Sequence, residues 1–261
     1  MPEQVGGQSG SSMKQGHADR GSRHLLVDLV RLLNYFYSFR ELEETLGIPS
    51  QVLWRYATLR SVPERETARR LLVKIRESGL LESAVARLNL NERELWVLAS
   101  NPGIIELSAH KVVEALGASR IETVVSAPES YSSAFASVIS SRLRATLCLA
   151  SRERYSEESL YAAYSEGEHH VHALALPAKC LGRGSRALLV AFCARDEPSI
   201  AATLGLLAGA HAELCGLFVV VGSRIRLKRL VDELEEREGL RTSSDFKVLT
   251  LIDLDARSQQ V

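Results

Sequence analysis

The residues best suited by type and spacing to do chemistry lie in SFRELEETLGIPSQVLWRY, Ser38 to Tyr56. Gln51, Trp54 and Arg55 fall on the polar side of a short helical pattern. Gln and Arg are side chains that read base edges in a major groove. Their positioning elements can be read around them. Ser38 can cap a helix, and Glu41 stands at the capping-box spacing. Leu42 and Leu46, four apart, share one helix face. Gly47 follows where a left-handed residue ends a helix without a Cβ penalty. Ile48 is the apolar plug of the turn. Pro49 and Ser50 open the next helix, with Ser50 as its cap. Val52, Leu53 and Tyr56 form that helix's apolar side. The competing reading is an ordinary helical hairpin packed in a core.

Cationic residues flank this stretch. Arg60 lies in the connection Ala57 to Val62. Pro63 is expected to start another helix, with Ala68, Leu71, Leu72 and Ile75 inward and Arg65, Arg69, Arg70 and Lys74 outward. Such a run is ordinarily a solvated face. Beside a reading helix it can also touch phosphates, which position a protein without specifying sequence. The expected nucleic-acid face is therefore Ser50, Gln51, Trp54, Arg55, Arg60, Arg69 and Lys74, with double-stranded DNA as partner.

The wider composition is that of a globular chain, 46% hydrophobic and 25% charged over 261 residues. Lys plus Arg equals Asp plus Glu, 32 of each, so net charge selects no partner. No apolar run is long enough to span a membrane, and the N-terminus lacks a signal peptide's apolar core. Cys148, Cys180, Cys193 and Cys215 are widely spaced and read as free thiols in apolar surroundings. A cytoplasmic location is expected. His169, His170 and His172 cluster, but no carboxylate or cysteine pattern joins them, so no metal is expected. No GxSxG, P-loop or HExxH occurs, and no cofactor is expected.

Residues 1 to 22 carry little to bury and read as a disordered tail. A helix over His24 to Phe36 places Leu25, Leu29, Leu32, Leu33 and Phe36 on one face. An all-helical domain is expected over 23–90, with the boundary near Leu90. Asn91 and Glu94 read as a capping box for a helix containing Leu95, Trp96 and Leu98; Asn101, Pro102 and Gly103 read as its break. Glu106 to Leu116 is a further helix. The periodicity then changes. Strands are expected at Arg120 to Val125, Thr146 to Ala150, His172 to Leu176, Ala187 to Cys193, Cys215 to Val221 and Lys247 to Asp253. Helices are expected at Ala134 to Leu143, Ser199 to Ala210 and Arg224 to Glu238. Arg152 to Val171 reads as a functional loop, lid or disordered segment. Strands alternating with helices imply a parallel sheet in an α/β domain over 91–261.

Two resemblances accompany these readings. ELEETLGIPSQVLWRYATLRSVPERETA resembles the repressor-type helix-turn-helix of the lambda-repressor-like superfamily, through its Leu-Gly-Ile turn, the Arg-Tyr end of the second helix and the following proline. IETVVSAPESYSSAFASVISSRL, the long segment before His172, and GSRALLVAFCARDEPSIAATLGLLAGAHAELCGLFVVVG together resemble a type I phosphoribosyltransferase domain. That family ends the strand of its phosphoribose motif in two acidic residues, followed by a Thr-Gly-Gly-Thr-like loop. Here Ala191 and Phe192, or Phe192 and Cys193, stand at the acidic positions. The loop reads Arg195-Asp196-Glu197-Pro198-Ser199, with carboxylates where a phosphate would dock. The first loop, Ser126 to Ser133, lacks the family's glycine. The resemblance implies a ligand mouth of Ser130, Ser132, Ser133, Arg152, Asp196 and Ser199. It also implies a small-molecule effector, nucleotide or purine-like.

The combined expectation is a helix-turn-helix head on a phosphoribosyltransferase-like parallel-sheet domain. It describes a homodimeric DNA-binding transcriptional regulator without catalytic residues. The alternative is an active purine or pyrimidine phosphoribosyltransferase with an appended helical domain.

Overall fold

The computed structural model describes residues 9–87, 95–153, 158–166 and 170–257. The chain divides into two units, Met1–Asn91 and Glu92–Val261. The Asn91 and Glu94 capping pair, Leu90 and His169 lie outside the described residues.

The first unit is helical: α1 (Ser9–Leu33), α2 (Phe39–Leu46), α3 (Ser50–Ala57), α4 (Arg65–Glu77) and α5 (Leu80–Ala86). α1 packs on α3 and α4. Its core joins Leu26, Val30 and Leu33 of α1 to Leu42, Leu53, Leu71 and Ile75, all buried. Each such side chain contributes about 1.5–3 kcal/mol on leaving water. Three expectations are corrected here. Residues 9–22, read as disordered, belong to α1; once the later turns nucleate a helix, each added residue costs little. Leu25 points outward, 42% exposed. The helix also ends at Leu33, so Tyr37 rather than Phe36 goes inward, donating its hydroxyl to Leu80 O at 2.8 Å. Pro63 precedes α4 instead of opening it: Glu64 is the cap residue, and Pro63 O accepts from Arg23 Nε at 2.8 Å.

The second unit runs α6 (Leu95–Ser100), α7 (Pro102–Leu116), β1 (Thr123–Ser126), α8 (Ser130–Leu143), β2 (Thr146–Leu149), β3 (Ser159–Glu166), β4 (His170–Pro177), β5 (Arg186–Cys193), α9 (Glu197–Gly209), β6 (Glu213–Gly222), α10 (Arg224–Glu238), β7 (Arg241–Asp253) and α11 (Leu254–Arg257). It is a mixed α/β fold on a five-stranded sheet ordered β2-β1-β5-β6-β7, with every pairing parallel. β5 and β6 are buried nearly throughout, as their unbroken apolar runs require of strands covered on both faces. Leu189 and Ala191 of β5 join Ile200, Leu204 and Leu207 of α9 and Leu227 and Val231 of α10 in one cluster. Phe192, pointing the other way, meets Phe135 of α8 with ring centroids 5.8 Å apart. α7 packs on α8 and crosses β6 and β7. Gly216 makes that crossing possible, because a Cβ there would lie 2.5 Å from Leu116 Cδ1.

β3 and β4 form a separate antiparallel hairpin, from Ser159 opposite Pro177 to Glu166 opposite His170. The reading of Arg152 to Val171 as loop or lid is thereby corrected: Leu160, Ala162 and Tyr164 turn inward at the strand period while Tyr161 and Ala163 face out. With the hairpin set aside, the sheet has the doubly wound order in which chain direction reverses between β1 and β5. Open sheets of this order hold ligands beyond the strand ends at that reversal. No helix among the described residues is long and apolar enough to cross a membrane.

Candidate nucleic-acid interface and ligand crevice

In the helical unit, the connection from α2 to α3 is set by side-chain chemistry at both ends. Ser38 caps α2 in a complete capping box, with Glu41 Oε2 accepting from Ser38 N at 2.7 Å. These bonds, first that from the Ser38 backbone and then that from Arg87, hold the Glu41 carboxyl down at about 2. Gly47 ends the helix at φ 68° and ψ 29°, donating its N–H to Glu43 O. Ser50 does not cap α3, as expected from its type; it is the first helical residue, after Pro49. Its N–H instead goes to Glu43 Oε2 at 2.9 Å. The α2 carboxylate thus fixes the start of α3, and this bond keeps the Glu43 pKa low.

Leu53 and Tyr56 anchor α3 in the core. Gln51, Trp54 and Arg55 are left exposed, as are Arg60, Arg69 and Lys74. The Arg60 guanidinium lies over the Trp54 ring, 4.7 Å from its centroid, which pre-orders an aromatic and a cation together. Lys74 Nζ reaches to 3.4 Å from where a Cβ on Gly47 would stand. α4 therefore supplies a cation directly over the turn. The arrangement offers hydrogen-bonding side chains on α3 with cations beside it.

In the α/β unit, the C-terminal ends of β1 and β5 bring several sequence candidates together. Ser132 is buried; its hydroxyl donates to Glu129 Oε2 at 3.0 Å and accepts from Phe192 N at 2.9 Å. Ser199, also buried, donates to Glu129 Oε1 at 2.7 Å. Ser133 and Ser126 share a hydrogen bond of 3.2 Å. Ser130 is exposed in the first turn of α8. Arg152 is directed to the hairpin, its Nε donating to Tyr164 Oη at 3.0 Å. Asp196 ends the short turn Ala194–Asp196 ahead of α9; its side chain lies outside the described residues.

Glu129 was not singled out from the sequence. Its Ser132 partner stands three residues on and is locally legible. Ser199 is 70 positions away in sequence and reaches Glu129 only through the fold. Their common carboxylate bridges the first turns of α8 and α9, where helix dipoles favour negative charge. A protein carboxylate thus engages hydroxyls that could otherwise face a ligand's anionic group. Beside this point a cleft of about 550 Å³ opens at the ends of β5 and β6. Its walls include Leu95, Val221, Leu230 and Leu254, and Arg226 pairs with Glu197 at its edge at 2.9 Å. Ala191 and Phe192 are core residues, so acidic side chains at these positions would be buried against α9 and α8.

No protein-family model matches the chain, and no curated protein does. Solved structures similar to it are adenine phosphoribosyltransferases. That from Leishmania donovani is 16% identical over 61% of this chain and 68% of its own, with a TM-score of 0.49. That from Saccharomyces cerevisiae, complexed with adenine and an imino-altritol bisphosphate, is 21% identical over 59% and 83%, at 0.46. That from Rhodothermus marinus is 17% identical over 60% and 83%, at 0.45. The likeness is one of fold, that of a phosphoribosyltransferase-like α/β domain. It also corrects one expectation. The proteins sharing this fold are enzymes, so the reading of the chain as a non-enzyme is withdrawn.

Proposed function

We propose that the chain is a DNA-binding transcriptional regulator whose α/β unit takes up a small anionic ligand, nucleotide or purine-like. The observation that carries this reading is the presentation of α3. Gln51, Trp54 and Arg55 face solvent while Leu53 and Tyr56 fix the helix from behind, and Gly47 and Glu43 set its direction. An ordinary core hairpin gives no reason for a solvent-facing tryptophan stacked with an arginine and flanked by Arg55, Arg69 and Lys74. In the proposed complex α3 enters the major groove, Gln51 and Arg55 contact base edges, and Arg69 and Lys74 meet phosphates. A homodimer would span two half-sites one helical turn apart. Retention of DNA by the full chain, compared with its Arg55→Ala variant, tests the reading.

A second reading, phosphoribosyl transfer by the α/β unit, is favoured by the reversal of the sheet between β1 and β5 and the hydroxyls of Ser126, Ser132, Ser133 and Ser199 gathered there. Release of pyrophosphate from phosphoribosyl pyrophosphate in the presence of adenine and Mg²⁺ tests it directly. Turnover would establish transfer whether or not the helical unit binds DNA.

A further inference from the structure

Cys148 and Cys180 come from different parts of the α/β unit and meet beneath its hairpin. Cys148 is on β2, the sheet's outer strand, and is fully buried. Cys180 ends the short turn Ala178–Cys180 that leaves β4; it is partly exposed. The turn packs against β2. Cys180 rests on the cluster that contains Cys148, and the two thiols lie within hydrogen-bonding range of one another. Cys180 O also accepts from Thr123 Oγ1 of β1 at 3.2 Å, which holds the turn in place. Both are free thiols in this structure.

We propose that Cys148 and Cys180 form a peroxide-sensitive dithiol whose oxidation ties the hairpin to the edge of the sheet. The oxidant is a hydroperoxide. The Cys180 sulfur, reachable from solvent, attacks one peroxide oxygen; the O–O bond breaks and Cys180 becomes a sulfenic acid, with the proton and the second oxygen leaving as water when the oxidant is hydrogen peroxide. The Cys148 sulfur then attacks the sulfenic sulfur, the S–O bond breaks, and a second water leaves with the Cys148 proton. Two thiols and one peroxide thus give one disulfide and two waters. Burial raises the Cys148 pKa, which keeps this thiol from reacting first and leaves it to resolve the sulfenic acid. The bond would close a loop carrying β3 and β4, and such a link removes open states of the chain it encloses.

The test uses the full chain, reduced and then treated with hydrogen peroxide. Mass spectrometry of the digested protein should find the Cys148 and Cys180 peptides joined, with a loss of about 2 Da from the intact chain, reversed by dithiothreitol. Amide hydrogen exchange across β3 and β4 should slow in the oxidised protein and stay at the reduced rate in a Cys180→Ser chain given the same treatment. Recovery of Cys180 as sulfinic acid beside reduced Cys148 would overturn the proposal. So would a joined pair that leaves hairpin exchange unchanged.

Discussion

Arg55 is exposed on α3 without a structural duty that its position demands. Arg55→Ala should therefore leave the melting temperature unchanged and cost about 1–3 kcal/mol of binding at a preferred DNA site, if the guanidinium pairs with a base. Arg69→Ala and Lys74→Ala should weaken binding across all sequences and flatten its salt dependence; affinity measured at several salt concentrations separates the two behaviours. Glu41 is a contrasting residue, because its carboxyl works within the fold. With its pKa held at about 2, below that of an unfolded glutamate, its stabilising contribution is complete above the unfolded value and fades as pH falls through the folded one. Carboxyl NMR should place its titration near 2, and Ser38→Ala should raise it. Glu129 makes a third case. Replacing it with Gln removes a charge from the mouth between β1 and β5. Affinity for AMP should then rise about tenfold, or 1.4 kcal/mol, in calorimetry; an unchanged or weaker affinity would remove Glu129 from the ligand site.

At the scale of the elements, Gly47 joins sequence to geometry most directly. Its φ of 68° penalises any Cβ, so Gly47→Val should destabilise the protein by about 1–2 kcal/mol; an unaltered thermal melt would show that the turn tolerates rearrangement. This turn was legible because Ser38, Glu41 and Gly47 act locally. β5 and β6 were legible from unbroken apolar runs. The hairpin was not, because Tyr161 and Ala163 on the exposed side of β3 are as apolar as the Leu160, Ala162 and Tyr164 that turn inward, which blurs the two-residue alternation. The start of α7 was misread for a different reason. Asn101, Pro102 and Gly103 have the composition of a break, yet Asn101 Oδ1 accepts from Gly103 N at 2.9 Å and Pro102 occupies the first helical turn, where it needs no donor. In the mouth, the serines were visible by type. The carboxylate joining Ser132 to Ser199 depends on a contact that only the folded sheet creates.

For the whole molecule, the proposal requires a DNA-reading surface in the helical unit and ligand chemistry in the α/β unit. The ligand should change DNA affinity only if it binds two states of the protein differently. The central claim is sequence-selective DNA recognition by α3. Footprinting the full chain against genomic fragments, with the Arg55→Ala chain alongside, tests it most directly. The account predicts discrete protected sites that disappear or spread in the variant while folding is retained. Absence of protection by the native chain, or an identical set of protected sites in both, would contradict it.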